Sequence, residues 1–175
     1  ELASDIVDRG IVLAGGGVHP TVRPNEILDV YDVAVRGEAE QAILMLGDEL
    51  VKGKEIKDIK LDSVNTKYYD NDQIGLLKDI DNLPFPDFSD NFVFKQGKIC
   101  LEKDYAFLFA DYYPILTDRG CPYDCTYCVN NFYSENGKKR FFRKRSIGKI
   151  IDELRFAKGK YNIKNIVFQS DNFLS

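Results

Sequence analysis

Three of the chain's four cysteines fall within eight positions, in Thr117-Asp118-Arg119-Gly120-Cys121-Pro122-Tyr123-Asp124-Cys125-Thr126-Tyr127-Cys128, spaced CxxxCxxC. Thiolates that close together can grip a metal centre without help from distant sequence. A closed zinc site wants four protein ligands, usually as two separated pairs. An iron–sulfur cluster in an electron carrier also wants four thiolates. An odd trio with no second CxxC pair fits neither a zinc module nor a disulfide framework well. Three ligands leave a four-iron, four-sulfur cluster with one iron unligated by protein, a corner open to a small molecule. The spacing points to chemistry at a cluster rather than to electron storage.

The rest of the composition is ordinary: 175 residues, 44% hydrophobic and 30% charged, with net charge −4. That is enough for one domain or two partial ones. No run approaches the ~18 apolar residues of a membrane span, and no secretory leader pattern opens the chain. Cysteines clustered for metal argue for a reducing compartment, and an oxygen-labile cluster argues for the cytoplasm of a low-oxygen organism. Mild acidity gives no general reason to expect nucleic acid. The chain opens at Glu1 without Met and closes at Ser175 just after a strand pattern, so both ends are expected to continue in a longer protein.

Residues 1 to about 10 read as the tail of a helix. Ile11-Val12-Leu13-Ala14 is a short apolar run stopped by Gly15-Gly16-Gly17, the pattern of a buried strand ending in a tight loop. Pro24 suits the first turn of a short helix. Val33-Ala34-Val35 predicts a second buried strand, leading into Arg36-Gly37-Glu38. From Ala39 to Val51 the apolar residues Ala42, Ile43, Leu46 and Leu50 recur at helical spacing. Strand, glycine loop, helix, strand, helix is the rhythm of a parallel sheet with crossover helices. Two strands are too few for such a sheet, so further strands are expected upstream.

From about 55 to 110 the pattern changes to a connecting segment. Asp70-Asn71-Asp72 reads as a turn, and Leu83-Pro84-Phe85-Pro86-Asp87 as extended chain. Phe92-Val93-Phe94 and Ile99-Cys100-Leu101, joined through Gln96-Gly97-Lys98, predict a hairpin. A third section begins near Asp111. Tyr113 to Thr117 predicts a strand that feeds the cysteine loop. Ser146 can cap a helix whose Ile147, Ile150, Ile151, Leu154 and Ala157 share a face. Ile163 to Gln169 predicts another buried strand, with Ser170-Asp171-Asn172 at its end. The chemistry would lie at the carboxyl end of the first strand, where α/β barrels and open α/β sheets carry their sites.

Arg119-Gly120-Cys121-Pro122-x-x-Cys125-x-Tyr127-Cys128 resembles the signature loop of radical S-adenosylmethionine (SAM) enzymes. The resemblance implies that Cys121, Cys125 and Cys128 ligate a 4Fe-4S cluster whose open iron chelates SAM. A one-electron reductant such as flavodoxin or ferredoxin would drive cleavage of SAM to methionine and a 5′-deoxyadenosyl radical. Tyr127 would lie near the adenine. Asp171, at the end of the second barrel strand, matches the position that helps bind the SAM amino group, although the family's Gly-Gly-Glu pattern is replaced here by Ser170-Asp171-Asn172.

Ala14-Gly15-Gly16-Gly17-Val18-His19-Pro20-Thr21, with Val35-Arg36-Gly37-Glu38-Ala39-Glu40, resembles the second half of the cobalamin-binding domain that precedes many radical SAM domains. Leu83-Pro84-Phe85-Pro86 ahead of the cysteines agrees with it. The implied cofactor contacts are Gly15, Gly16, Gly17, His19, Gly37 and Glu38. His19 does not match the Asp-x-His-x-x-Gly motif that supplies the cobalt ligand, and alone it reads as a loop histidine held extended by Pro20. The implied fold class is α/β. It joins the C-terminal half of a Rossmann-like (flavodoxin-like) cobalamin domain over 1–54, a linker over 55–110, and the first β/α units of a radical SAM partial TIM barrel over 111–175. The implied activity is cobalamin-dependent methyl transfer to, or rearrangement of, a small-molecule substrate that the sequence does not identify.

Two other classes stay open. Cys100 as a fourth ligand would make an iron–sulfur electron carrier, although its setting between Ile99 and Leu101 favours a small buried hydrophobe. The basic run Lys138 to Arg145, with Phe141 and Phe142 inside it, could track an RNA backbone in a radical SAM RNA-modifying enzyme without cobalamin. More often such a run is a solvated strand or loop. Arg140 or Arg143 could instead reach the cysteine loop and stabilise its charge.

Overall fold

The computed structural model describes residues 10–88, 91–95, 98–102, 112–133 and 142–173, with only the main chain described for 91–95 and 98–102. The chain divides into two compact units: Glu1–Leu77 with Tyr123–Arg140, and Lys78–Pro122 with Phe141–Ser175. The architecture is mixed α/β, with both parallel and antiparallel strand pairs.

In the first unit, strand β1 (Ala14–Gly15) runs parallel to β2 (Val33–Val35), and β3 (Val64–Thr66) adds antiparallel to β2 on the other side. The expected strand over Ile11–Ala14 shrinks to two residues. Its place in the ladder is taken by a side chain, because the Asp32 carboxylate accepts from the Leu13 N–H at 2.9 Å. The Asp32 and Val33 N–H groups both donate to the Leu13 carbonyl. The sheet is also mixed rather than parallel, since β3 comes from the stretch read as linker. Between β1 and β2 lie two short helices, α1 (Val18–Val22) and α2 (Pro24–Ile27), the second opening on Pro24 as expected.

Helix α3 (Glu40–Val51) packs its stripe on the sheet. Val33, Val35, Ala42, Leu46, Ile59 and Val64 form the buried core, with Leu50 packed at its margin. Ile43, placed on that stripe by periodicity, is largely exposed. Asp70-Asn71-Asp72 is not the turn; the tight reversal falls at Thr66–Tyr69, where each residue's N–H donates to the other's carbonyl and the Thr66 hydroxyl accepts from the Tyr68 and Tyr69 N–H groups. Asn71 is instead buried, donating to the Leu61 carbonyl.

In the second unit, β4 (Asn91–Lys95) and β5 (Lys98–Glu102) pair antiparallel as the expected hairpin, with Lys95 opposite Lys98. Gln96 and Gly97, read as its turn, lie outside the described residues. Strand β6 (Tyr112–Ile115) runs parallel to β9 (Asn165–Phe168), and helix α4 (Ile147–Tyr161) connects toward β9. Between them β7 (Asp118–Arg119) pairs with β8 (Arg143–Lys144). Ser146 caps α4 as its spacing predicts, its Oγ accepting from the Lys149 N–H at 3.3 Å. Asn162 ends the helix in the left-handed conformation and donates back to the Lys158 carbonyl, a C-terminal motif that asparagine tolerates.

The core of this unit is Tyr113, Ile115 and Ala157, with Phe88, Ile150, Leu154, Tyr161 and Ile163 against it. The proline-rich segment is anchored by aromatic contacts rather than left as a connector. Phe85 meets Phe156 at 5.5 Å between ring centres, Phe88 meets Tyr113 and Tyr161, and the Tyr161 hydroxyl accepts from the Phe88 N–H at 2.8 Å. The expectation of a buried strand over Ile163–Gln169 fails: every residue of β9 is exposed. A parallel strand is buried only when both its faces are covered and both neighbours are present; among the described residues β9 has β6 alone.

Candidate functional site

The cysteine loop leaves the second unit at the carboxyl end of β6. Ile115 ends the strand, Leu116-Thr117 lead into β7, and Gly120 turns the chain into the loop with φ of +82°. A residue with Cβ rarely adopts that conformation, so the glycine of Arg119-Gly120-Cys121 is required by the turn. Beside the strand end, the Gln169 N–H donates to the Ile115 carbonyl at 2.8 Å, which brings Ser170, Asp171 and Asn172 to the same end of the β6–β9 pair. The Ser170 hydroxyl accepts from the Asn172 N–H.

Cys121, Cys125 and Cys128 are free thiols. Cys125 is exposed and the other two are half-buried. Within the first unit, the Cys125 carbonyl accepts from the Cys128 N–H at 2.9 Å and from the Asn131 side-chain amide at 2.8 Å. Those two bonds form the turn that separates Cys125 from Cys128. The 3₁₀ turn that follows, Val129–Tyr133, lies against α1, the helix that carries His19. Asn131 was not singled out from sequence; an amide just beyond a ligand loop is the signal that could have found it. Among the described residues no group of three or more His, Cys, Asp or Glu side chains is arranged as a metal site. The donor chemistry nonetheless suits iron: three unpaired, accessible thiols are the soft ligands that iron–sulfur clusters use. Tyr127, between the second and third cysteines, is 91% exposed.

Next to the strand end, the second unit holds a cavity of about 220 Å³. Pro84, Pro86 and Phe88 wall one part of it, and Asp118, Arg145 and Glu153 bring polar groups to another. Asp118 is buried, and the Thr117 hydroxyl donates to its Oδ2 at 2.8 Å. Arg145 forms an ion pair with Glu153 at 2.6 Å, and Glu153 also accepts from the Tyr113 hydroxyl at 3.0 Å. None of these residues was singled out for function from the sequence. Glu153 had a readable signal: a carboxylate one position before Leu154, on the helix face that buries Ile150 and Ala157. In the basic run, Arg143 and Lys144 join a strand pair and Arg145 is drawn inside, so the run is not a solvated face throughout. Residues 138–141, including Arg140 and Phe141, lie outside the described residues.

The six residues assigned to cobalamin by resemblance have different surroundings. At Gly37, φ is +83° and an added Cβ would run into the backbone of Gly75; the Gly75 and Glu38 N–H groups bridge the two segments. Close packing therefore accounts for Gly37. A Cβ on Gly15 would meet Ile27 at 2.7 Å. The Glu38 carboxylate accepts from the Leu77 N–H at 2.6 Å, which closes the same junction. Gly16 and Gly17 are exposed, with open space around Gly17. His19 is exposed and pairs with Glu26 at 3.1 Å. Thr21 and Arg36 organise this loop: the Thr21 hydroxyl donates to the Gly17 carbonyl and accepts from the Gly37 N–H, while Arg36 donates to the Thr21 and Asn71 carbonyls. Cys100 lies on β5 opposite Val93 in the ladder.

No family model matches the chain. It is 27% identical to an uncharacterized methyltransferase of Pyrococcus horikoshii over 95% of its own length and 35% of the relative's. It is 26% identical to the bacteriochlorophyllide d C-12(1)-methyltransferase of Chlorobaculum tepidum, over 91% of this chain and 29% of that one. Among solved structures, it matches the radical S-adenosylmethionine methyltransferase TsrM of Kitasatospora setae, bound to tryptophan substrate and the SAM analogue aza-SAM. That match has a TM-score of 0.59 and 17% identity over 98% of this chain and 32% of that one. The chain thus spans about a third of each protein it resembles, and it shares the fold of the corresponding part of a radical SAM methyltransferase. Among the described residues no helix is long and apolar enough to cross a membrane.

Proposed function

We propose that the chain is part of a cobalamin-dependent radical SAM methyltransferase, in which Cys121, Cys125 and Cys128 ligate a 4Fe-4S cluster. The observation that carries this reading is the CxxxCxxC run of free thiols whose first member, Cys121, follows β6 in the chain by way of β7 and Gly120. A 4Fe-4S cluster held by the three thiolates would supply an open iron for SAM and would pass on, from an external one-electron reductant, the electron that breaks its sulfonium bond. The chain's own share is to bind and orient. Gly120 turns the backbone into the loop, and the bonds to the Cys125 carbonyl shape the turn between the second and third cysteines. Asp171 is the candidate acceptor for the SAM amino group, and Tyr127 the candidate adenine contact.

The likeness to two methyltransferases favours methyl transfer over rearrangement as the outcome. Cobalamin would be the methyl carrier, held in the first unit where Gly16, Gly17 and His19 reach solvent. Gly15, Gly37 and Glu38 have internal packing partners and would support that loop rather than touch the cofactor. The substrate is a small molecule, and the electron donor a flavodoxin or ferredoxin.

Anaerobic reconstitution with iron and sulfide, followed by electron paramagnetic resonance of the reduced protein with and without SAM, tests the reading. A four-iron signal that shifts on adding SAM supports it. A four-iron signal indifferent to SAM would mean either Cys100 as fourth ligand or an incomplete SAM pocket, and repeating the measurement on Cys100→Ala separates the two. Failure to take up any cluster would end the proposal. Absorbance of bound cobalamin after incubation and gel filtration tests the second cofactor separately.

A further inference from the structure

Arg145 ends a basic stretch, yet its side chain is only 11% exposed. Its Nη1 donates to the Leu116 carbonyl at 2.9 Å, and its main-chain N–H donates to the Thr117 carbonyl at 2.9 Å. Its Nη2 pairs with Glu153 Oε2 at 2.6 Å. Glu153 is 2% exposed and through Oε1 takes the Tyr113 hydroxyl as well. Strand β6, helix α4 and the two residues after β6 are thereby joined through one buried charged network. Cys121 follows Thr117 by four residues.

Adhesion alone does not call for this arrangement. Removing two charges from water is costly, and apolar residues of similar volume in such a place are often as stabilising or more so. A guanidinium fork does something apolar packing does not: it holds its acceptors in fixed directions. Here one acceptor is the backbone of the segment that launches the cysteine loop.

We propose that Arg145, held by Glu153 and Tyr113, is a positioning residue for Cys121. It fixes the direction in which the chain leaves β6 and thereby the placement of the first cysteine. The cluster part of this inference rests on the function proposed above; the placement of Cys121 does not.

The test uses the whole chain carrying Arg145→Met with Glu153→Leu, an apolar exchange that removes the fork but fills the space. Cys121 alkylation by iodoacetamide is followed in cluster-free protein by peptide mapping, with Cys125 as internal reference. Iron and sulfide content and the resonance signal are measured after reconstitution. The melting temperature should fall modestly, because Glu153→Leu takes from the buried Tyr113 hydroxyl the carboxylate that accepts from it. Cys121 should react about tenfold faster relative to Cys125, as loss of a hydrogen bond to a charged group allows. Cluster content should fall. Unchanged Cys121 reactivity in a folded double variant would overturn the proposal. If the double variant does not fold, Arg145→Lys decides by the same readout, since it keeps the charge and loses the fork. If the unaltered chain takes up no cluster, the proposed function fails while the alkylation result still decides the role of Arg145.

Discussion

Single side chains here act mostly by fixing backbone. Asp81 accepts from the Ser146 N–H through both carboxylate oxygens, at 3.0 and 3.1 Å, beside the amino end of α4. The Ser146 side chain, and after it the Ser146 main-chain N–H, lower the Asp81 pKa against the opposing effect of partial burial. A carboxyl lowered in the folded state stabilises the fold at pH above its unfolded value, and that contribution is lost as pH falls through the folded one. Asp81→Asn should therefore lower the melting temperature at pH 7, and the two proteins should begin to converge below about pH 4 and meet only once the pH has fallen below the lowered folded value. A difference that persists unchanged at low pH would show that the charge is not responsible. Gly37 is a second backbone-fixing residue. Gly37→Ala should cost at least about 1 kcal/mol for the left-handed conformation alone, plus the collision with Gly75, as read by denaturant unfolding. A variant of unchanged stability would mean that the Gly75 segment moves aside freely.

At the scale of elements, periodicity located α3 and α4 because each buries one stripe, and that stripe is written into the residue spacing, although Ile147 and Ile151, read as members of the α4 stripe, are exposed. It could not rank the members of the stripe. Ala42 and Leu46 are buried while Ile43 is not; among the described residues the sheet of this unit has three short strands. Strand β9 shows the converse. Ile166-Val167-Phe168 has the composition of a covered strand but is exposed, with β6 its one ladder neighbour among the described residues. Exposed apolar edges are templates for association. Val167→Lys should reduce light scattering by concentrated protein while changing stability by no more than about 0.5 kcal/mol. Equal scattering from both proteins would show that β9 is not the associating surface.

At the scale of the whole molecule, Cys121 falls in the second compact unit and Cys125 and Cys128 in the first. Cluster binding is where this becomes measurable. Cys125→Ala should abolish iron uptake, whereas Cys100→Ala should leave iron content and the response to SAM intact. Loss of iron in Cys100→Ala would instead mark it as a fourth ligand.

The backbone of the loop was legible in the chain because spacing and turn chemistry are local properties: the three cysteines, the glycine that the turn at Gly120 needs, and the cap at Ser146 all lie within a few residues of what they shape. The order of the strongest elements was legible for the same reason. What sequence could not disclose depended on partners far along the chain. Gly37 answers to Gly75, Glu38 to Leu77, Arg36 to Asn71, and Arg145 to both Glu153 and the end of β6. Each of those pairings is a packing or hydrogen-bond choice made among many possible partners of similar chemistry. Only the folded arrangement, which sets which groups are near enough to meet and which are cut off from water, selects among them.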